Sequence, residues 1–161
     1  MDVLHHLTAV VATIKPIPGS KIISSASRCG TGSVTLSVLF GSGNSIWYSV
    51  PTGGTALFTG DSFTTPSLST TTTYYIEAEL NGCVNPTRQA ITATINPVPV
   101  ATVSGVNEIC AGASTTLTAS GGTSYVWSNA ATTASISVTP ATTTTYTVTV
   151  TNTQGCTATS S

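Results

Sequence analysis

Two stretches of the sequence, Cys29-Gly-Thr-Gly-Ser-Val-Thr-Leu36 and Cys110-Ala-Gly-Ala-Ser-Thr-Thr-Leu117, begin two copies of one pattern. After each Cys, polar and apolar residues alternate, which is typical of a strand with one buried face. Each copy continues through a Trp and a Tyr to a second Cys, at Cys29, Trp47, Tyr74 and Cys83 in the first copy and at Cys110, Trp127, Tyr146 and Cys156 in the second. A pattern that occurs twice in tandem predicts one structural unit repeated.

The spacing of this pattern separates a constant front half from variable loops. The first Cys and the Trp are 47 − 29 = 18 and 127 − 110 = 17 residues apart, whereas the Trp and the second Cys are 83 − 47 = 36 and 156 − 127 = 29 residues apart. A Trp at this place in a strand is typically a core side chain, and each Tyr begins an alternating strand with its ring inward. The predicted core anchors are Trp47, Trp127, Tyr74 and Tyr146.

The composition indicates an uncharged, strand-rich chain. Charged residues make up 6% of the 161 residues, and the formal net charge is −1. So few cations provide no electrostatic footprint for nucleic acid or an anionic membrane, and no stretch is apolar for long enough to span a bilayer. Long Thr and Ser runs alternate with Val, Ile, Leu and Tyr, and β-branched residues favour strands. We therefore predict an all-β protein with no nucleic-acid partner and no membrane insertion.

Two Pro-x-Pro elements divide the chain. They predict stiff, extended spacers, because proline cannot donate to a strand ladder and restricts the backbone. The predicted parts are an N-terminal strand and linker at 1–18, a first module at 19–99 and a second module at 100–161. About seven short strands per module, with tight turns such as Asn81-Gly82, predict a two-sheet β-sandwich in each module and no helices.

The four cysteines occupy matching positions in the two copies, which favours a disulfide framework formed in an oxidising compartment. They allow three connectivities, and the repeat symmetry favours Cys29 with Cys83 and Cys110 with Cys156. On the chain-entropy model, each bridge would stabilise its module by about 4 kcal/mol. There is no Cys-x-x-Cys pair, and both histidines, His5 and His6, lie outside the modules, so no metal site is predicted.

The sequence contains no catalytic constellation. Nucleophilic catalysis needs a positioned base, and neither module contains a histidine. Glu77 and Glu79 alternate on one strand face and, with Asp61, supply too few oxygens for a calcium site. We therefore expect a protein that is not an enzyme and that has no catalytic residue, no metal and no cofactor.

Several phrases of the sequence are shared with a known family. In the first module they are Cys29-Gly-Thr-Gly-Ser-Val-Thr-Leu36, Trp47-Tyr48 with Gly53-Gly54, Phe63-Thr-Thr-Pro-Ser-Leu-Ser-Thr-Thr-Thr-Thr-Tyr-Tyr75 and Asn81-Gly-Cys83, and in the second Ile109-Cys-Ala-Gly112, Tyr125-Val-Trp-Ser128 and Thr142-Thr-Thr-Thr-Tyr146. They resemble the immunoglobulin-like repeats of large Bacteroidota cell-surface proteins of the gliding-motility-associated type. The resemblance implies two tandem immunoglobulin-like (Ig-like) modules, an extracellular or cell-surface location, and an adhesive or structural role without catalytic residues.

The alternative function is a carbohydrate-binding module of a secreted multidomain protein. Such a module needs a groove lined by at least two coplanar, exposed aromatic rings. Trp47 and Trp127 are candidates if they are exposed, and Tyr48, Tyr75 and Phe58 are the other aromatic residues considered. A surface glycan would then be the partner, so the exposure of these rings distinguishes the two hypotheses.

The N-terminal residues resemble the closing strand of the first module. Residues 9–18 align with residues 90–99 at an offset of 81, which places Val10, Ala12 and Ile14 opposite Ile91, Ala93 and Ile95. The second module reaches Ser161 about where the first module's closing strand begins, so we expect a groove and an unpaired edge there. Donation of the N-terminal strand to a second copy would fill the groove and generate a head-to-tail filament.

The competing explanation is that the sequence is a piece of a longer array. In that case the partners are neighbouring Ig-like modules. The stretch from Met1 to Ile14 lacks the basic start and continuous apolar run of a signal peptide. An exported protein with such an N-terminus is expected to be a mature or excised piece.

Overall fold

The computed structural model of the chain describes residues 12–161, apart from the side chain of Phe40, and these residues form strands without a helix. The prediction of an all-β protein is confirmed. The strands are β1 Ile22–Ser24, β2 Ala26–Cys29, β3 Thr35–Phe40, β4 Asn44–Tyr48, β5 Phe58–Thr59, β6 Ser62–Thr64, β7 Thr72–Leu80, β8 Cys83–Val84, β9 Gln89–Asn96, β10 Thr102–Ser104, β11 Thr115–Ser120, β12 Ser124–Trp127, β13 Ser135–Val138, β14 Val148–Thr151 and β15 Thr157–Ser160. Within this described part of the chain, no helix is long and apolar enough to cross a membrane.

The strands of each repeat form two sheets. In the first repeat the sheet orders are β1-β3-β6 and β2-β9-β7-β4-β5, with β8 paired to β7. In the second repeat they are β10-β11-β13 and β12-β14-β15. All the strand pairs whose register is defined are antiparallel. The predicted Ig-like β-sandwich architecture is therefore confirmed.

The chain groups into two compact units. The first unit contains the described residues up to Ser25, Thr35–Thr65 and Thr73–Ala93, and the second contains Ala26–Val34, Pro66–Thr72 and Thr94–Ser161. The structural grouping thus places β2 with the second unit, although β2 belongs to the first sequence repeat. The module boundaries near residues 19 and 99 remain predictions.

Each unit has an aromatic core between its sheets. In the first unit the Phe63 ring lies 5.2 Å from the ring of Trp47 and 5.2 Å from that of Tyr74. In the second unit, Trp127 packs with Val148 and Val150 from one sheet and with residues of the other, namely Ala119, Ile136 and Val138. Burying these rings and aliphatic side chains is the main favourable contribution to folding.

Each core Trp also holds the chain where it crosses between sheets. The indole Nε1 of Trp47 donates to the carbonyl of Gly60 at 2.7 Å, and that of Trp127 donates to the carbonyl of Thr133 at 2.9 Å. Gly60 lies between β5 and β6, which belong to different sheets, and Thr133 lies between β12 and β13, which also do. The repeated Trp therefore both fills the core and fixes the crossover.

The predicted tight turn at Asn81-Gly82 is present between β7 and β8. Asn81 has φ 53° and Gly82 has φ 81°, and two consecutive positive φ values are the requirement of a type I′ hairpin turn. The turn leads directly into Cys83, which pairs with Leu80.

The predicted disulfide pairs, Cys29 with Cys83 and Cys110 with Cys156, are wrong. The structure instead joins Cys29 to Cys156, with their Cα atoms 5.5 Å apart, and leaves Cys83 and Cys110 as free thiols. Cys156 is almost completely buried, whereas Cys110 is exposed and Cys83 is partly exposed.

The physical reason is the position of β9 between β2 and β7. The amide of Gly30 donates to the carbonyl of Asn96, so Cys29 lies beside the last residue of β9. Thr71, just before β7, is hydrogen-bonded to the backbone of Ile95, so the start of β7 lies at the same end of the sheet as Cys29. Cys83 lies beyond the other end of β7. β7 has nine residues, or roughly 25 Å at 3.3 Å per residue, and a disulfide requires Cα atoms within about 7 Å.

We expect Trp47→Phe and Trp127→Phe each to lower the free energy of unfolding by about 2 kcal/mol, because each removes a hydrogen bond and part of a core ring. Chemical denaturation measures this change. The control, Val126→Thr on an exposed strand face, should change the free energy by less than about 0.5 kcal/mol. Equal effects of all three substitutions would contradict the proposed role of the indole groups.

The Cys29–Cys156 bridge closes a loop with a sequence separation of 127 residues, for which the chain-entropy model predicts about 5 kcal/mol of stabilisation. We expect Cys29→Ser/Cys156→Ser to lower the unfolding free energy of the monomer by several kcal/mol. Cys83→Ser/Cys110→Ser is the matched control and should leave it nearly unchanged. The reverse ranking in chemical denaturation would show that the disulfide assignment is incorrect.

Candidate functional site

A groove of about 440 Å³ lies in the second unit. Its apolar lining includes Val106, Leu117 and Tyr146, and Ser161 borders it. A second depression of about 490 Å³ shares Asn107, Ile109 and Thr144 with the first. The two depressions therefore form one continuous groove along segments 106–111 and 140–146.

The groove leaves side chains exposed whose counterparts in the first repeat are buried. Leu36 has 0% of its surface exposed, whereas Leu117, at the offset of 81, is only partly buried. Tyr74 is 5% exposed, whereas Tyr146 is only partly buried against the core. Three of the four predicted anchors, Trp47, Trp127 and Tyr74, are thus core residues, and Tyr146 is at the edge of the core.

The groove has the position of one strand. In the first repeat, β9 lies between β2 and β7. Residues 107–110, which correspond to β2, and residues 144–147, which correspond to the start of β7, are in no strand. The closing strand β15 has four residues, against eight in β9, and its pairing with β14 runs from Thr157 to Ser160. The groove therefore corresponds to the second half of β9.

The predicted donor segment is only partly within the described residues. Val10 lies outside them, whereas Ala12 and Ile14 are exposed and in no strand, with Ile14 93% exposed. The next residue, Lys15, donates from Nζ to the carbonyl of Asn81 at 2.8 Å. The described end of the segment is therefore held at the β7–β8 hairpin with its apolar side chain in solvent.

The second unit contains a similar contact. Asn152, in the hairpin between β14 and β15, donates from Nδ2 to the carbonyl of Pro97 at 2.8 Å. Pro97 corresponds to Pro16 and follows β9 directly, just as Pro16 follows Lys15. In both repeats, the linker that enters the repeat therefore contacts the hairpin that contains its second Cys.

The aromatic residues considered for sugar binding do not form a platform. Trp47 and Trp127 are buried, and the guanidinium of Arg88 covers Tyr48, 3.2 Å from the ring centroid. Arg88 also pairs with Glu77 at 3.2 Å. Of the remaining rings, Tyr75 is partly buried and Phe58 is 43% exposed. The arrangement therefore does not favour the carbohydrate-binding alternative.

The acidic residues of the first unit have separate partners. Glu77 pairs with Arg88, and Asp61 accepts a bond from the Ser45 hydroxyl. Glu79 accepts bonds from the Gly82 amide at 2.7 Å and the Asn44 side chain at 2.9 Å. Residues 12–161 contain no group of three or more His, Cys, Asp and Glu residues that could hold a metal ion.

The two free thiols do not follow from the repeat pattern. Matching positions in the two copies favour a bridge within each copy, whereas the actual pairing depends on positions in the sheet. The difference between Cys29 and Cys83 lies in the sheet and not in the local sequence. Cys29 is the last residue of β2, which lies beside β9, whereas Cys83 follows the Asn81-Gly82 turn.

Glu79 provides a pH-dependent prediction. The Gly82 amide and, secondarily, the Asn44 side chain lower the pKa of Glu79 below its usual value. A lowered pKa in the folded state means that the ionised group contributes stability above its unfolded pKa, and that this is lost as pH falls through the folded pKa. We expect Asn44→Ala to raise the pKa of Glu79 in an NMR titration. The remote control Asn129→Ala should not change it, and an unshifted pKa in Asn44→Ala would refute the assignment.

One family of known domains matches the first repeat. Residues 18–97 match the family described as Ig-like domain, CHU_C associated. No curated protein matches the chain significantly. Among solved structures, an amphioxus IgVJ-C2 molecule is similar, with 18% sequence identity, coverage of 84% of this chain and 97% of that chain, and a TM-score of 0.39. The family match spans the first repeat from its entering linker to the end of β9, and residues 18–97 belong to the CHU_C-associated family of Ig-like domains.

Proposed function

We propose that the chain is an extracellular, non-enzymatic structural or adhesive protein whose copies assemble head to tail by strand donation. The observation that carries this proposal is the groove of the second unit, at the place that corresponds to the second half of β9. Residues 12–15 of another copy are the occupant. They correspond to residues 93–96, the half of β9 that the groove lacks.

Donor residues 12–14 are identical to residues 93–95 of β9, to which they correspond. Ala12 corresponds to Ala93, which is 0% exposed in β9, so donation would bury the same small side chain at the equivalent position. Ile14 corresponds to Ile95 and is 93% exposed before donation. Its burial would contribute roughly 1.5 to 3 kcal/mol, in addition to the backbone hydrogen bonds of strand addition. Because β15 already pairs with β14 through Ser160, Val10 is not required in the groove.

Donation in this direction produces a chain of copies. The donor is in the N-terminal segment and the acceptor is in the second unit, so the contact is heterologous and propagates unless the geometry closes a ring. Tandem modules with few charges suit a structural role. The disulfide supports an oxidising, extracellular location, where such bridges form and persist.

Substitutions at the two sides of the junction test the proposal. We expect the wild-type chain to show concentration-dependent assembly by light scattering after size exclusion. Ile14→Asp, in the donor, and Val106→Asp, in the groove, should each be monomeric, because either change places a charge in the apolar contact. Val100→Asp is the matched control, since Val100 is 78% exposed and outside the groove.

Mixing the variants adds a directional test. Ile14→Asp retains an intact groove and Val106→Asp retains an intact donor, so an equimolar mixture should form dimers and nothing larger. A monomeric wild-type chain, or assembly that persists in Ile14→Asp, would refute strand donation between copies. Circular dichroism of each variant verifies that the β-sandwich is retained.

A further inference from the structure

The two free thiols occupy the two cysteine positions of the repeat pattern that the disulfide does not use. The bridge joins the first Cys of the first repeat, Cys29, to the second Cys of the second repeat, Cys156. The cysteines left over are the second of the first repeat, Cys83, and the first of the second repeat, Cys110. If the second repeat of one copy is followed by the first repeat of another copy, the same connection would therefore join Cys110 of the former to Cys83 of the latter.

The surroundings of the existing bridge show what brings its two cysteines together. Gly30, next to Cys29, donates to the carbonyl of Asn96 at the end of β9. The following carbonyl, of Pro97, accepts from Asn152, whose Oδ1 in turn accepts from the amide of Cys156 at 2.9 Å. The end of the closing strand and the linker after it thus contact residues next to both cysteines of the bridge.

The same parts would meet at a junction between two copies. On the acceptor, Ile109 and Ala111, the neighbours of Cys110 in sequence, line the groove. On the donor, Lys15 corresponds to Asn96 and already bonds the carbonyl of Asn81, two residues before Cys83. A strand that fills the groove up to Lys15 therefore brings the donor's β7–β8 hairpin to the exposed thiol of the acceptor.

Resting on the proposed strand donation, we infer that Cys110 of the accepting copy forms a disulfide with Cys83 of the donating copy. The bond would repeat, between chains, the connection that Cys29 and Cys156 make within one chain. Each junction would then be closed covalently after the strand has docked. The accessibility required is present, since Cys110 is exposed and Cys83 is partly exposed.

The reaction is a two-electron oxidation of two thiols by thiol–disulfide exchange. A small-molecule disulfide, such as oxidised glutathione, accepts one thiolate to form a mixed disulfide and releases one thiol. The second cysteine thiolate then displaces the other half of the reagent. In total, two protein thiols become one disulfide and the reagent is reduced to two thiols.

Single-cysteine variants test the pairing. After incubation with oxidised glutathione, the wild-type chain should give a ladder of multimers on a denaturing, non-reducing gel that reducing agent abolishes. Cys83→Ser alone and Cys110→Ser alone should remain monomeric, and their equimolar mixture should give dimers only. Dimers in either variant by itself would indicate Cys110–Cys110 or Cys83–Cys83 pairing and would overturn the inference.

Isotope mixing shows whether the bond joins two copies. In an equimolar mixture of ordinary and ¹⁵N-labelled chains, about half of the Cys83–Cys110 peptides should carry one label of each kind. Mixed peptides support the bond between copies, whereas exclusively unmixed peptides indicate a bond within one chain and overturn it. Ile14→Asp should lose the ladder, and an undiminished ladder would show that the bond does not depend on docking.

A thiol-free chain separates the two proposals. Cys83→Ser/Cys110→Ser should still assemble non-covalently, because the donor and the groove are unchanged. If it assembles while the oxidised wild type gives no ladder, strand donation stands and the disulfide inference is wrong. If both remain monomeric, strand donation and the inference that rests on it fail together.

Discussion

The structure depends most on the closing strand β9, which lies between β2 and β7 in the larger sheet of the first repeat. Its buried side chains, Ile91 and Ala93, are 2% and 0% exposed. In the first repeat, where this strand has eight residues, Leu36 and Tyr74 are buried, whereas the equivalent Leu117 and Tyr146 remain partly exposed. The eight-residue β9 thus accompanies a closed sandwich, whereas the four-residue β15 accompanies a groove lined by both polar and apolar residues.

The position of β9 also determines the chemistry of the cysteines. Because β9 places Cys29 at the linker end of the sheet, Cys29 lies beside Asn96 and far along β7 from Cys83. The bridge therefore connects two repeats and not the two ends of one repeat. The cysteines outside this bridge are Cys83 of the first repeat and Cys110 of the second, and those are the two free thiols.

Part of the fold could be predicted from the sequence, because that part depends on residues that are close to one another in the chain. Alternation of side chains, the Asn81-Gly82 turn and the repeated Trp47 and Trp127 report on neighbouring residues, and the strands, the hairpin and the aromatic cores follow from them. The disulfide could not be predicted in this way, because its pairing depends on which strand lies beside β2. The Arg88 contact with Tyr48 has the same origin, since it joins residues 40 positions apart across a sheet.

The low charge of the chain affects how its copies would associate. Among the donor residues 12–15 only Lys15 is charged, and among the residues that line the groove only Glu108 is, so at most one pair of opposite charges steers their encounter. Association between uncharged surfaces proceeds at about 10⁵ to 10⁶ M⁻¹ s⁻¹, which is far below the rate of electrostatically steered partners. An assembly of this kind must then persist through slow dissociation. Backbone pairing and apolar burial slow dissociation. A covalent bond across the junction would slow it further, because the copies could then separate only after the disulfide is reduced.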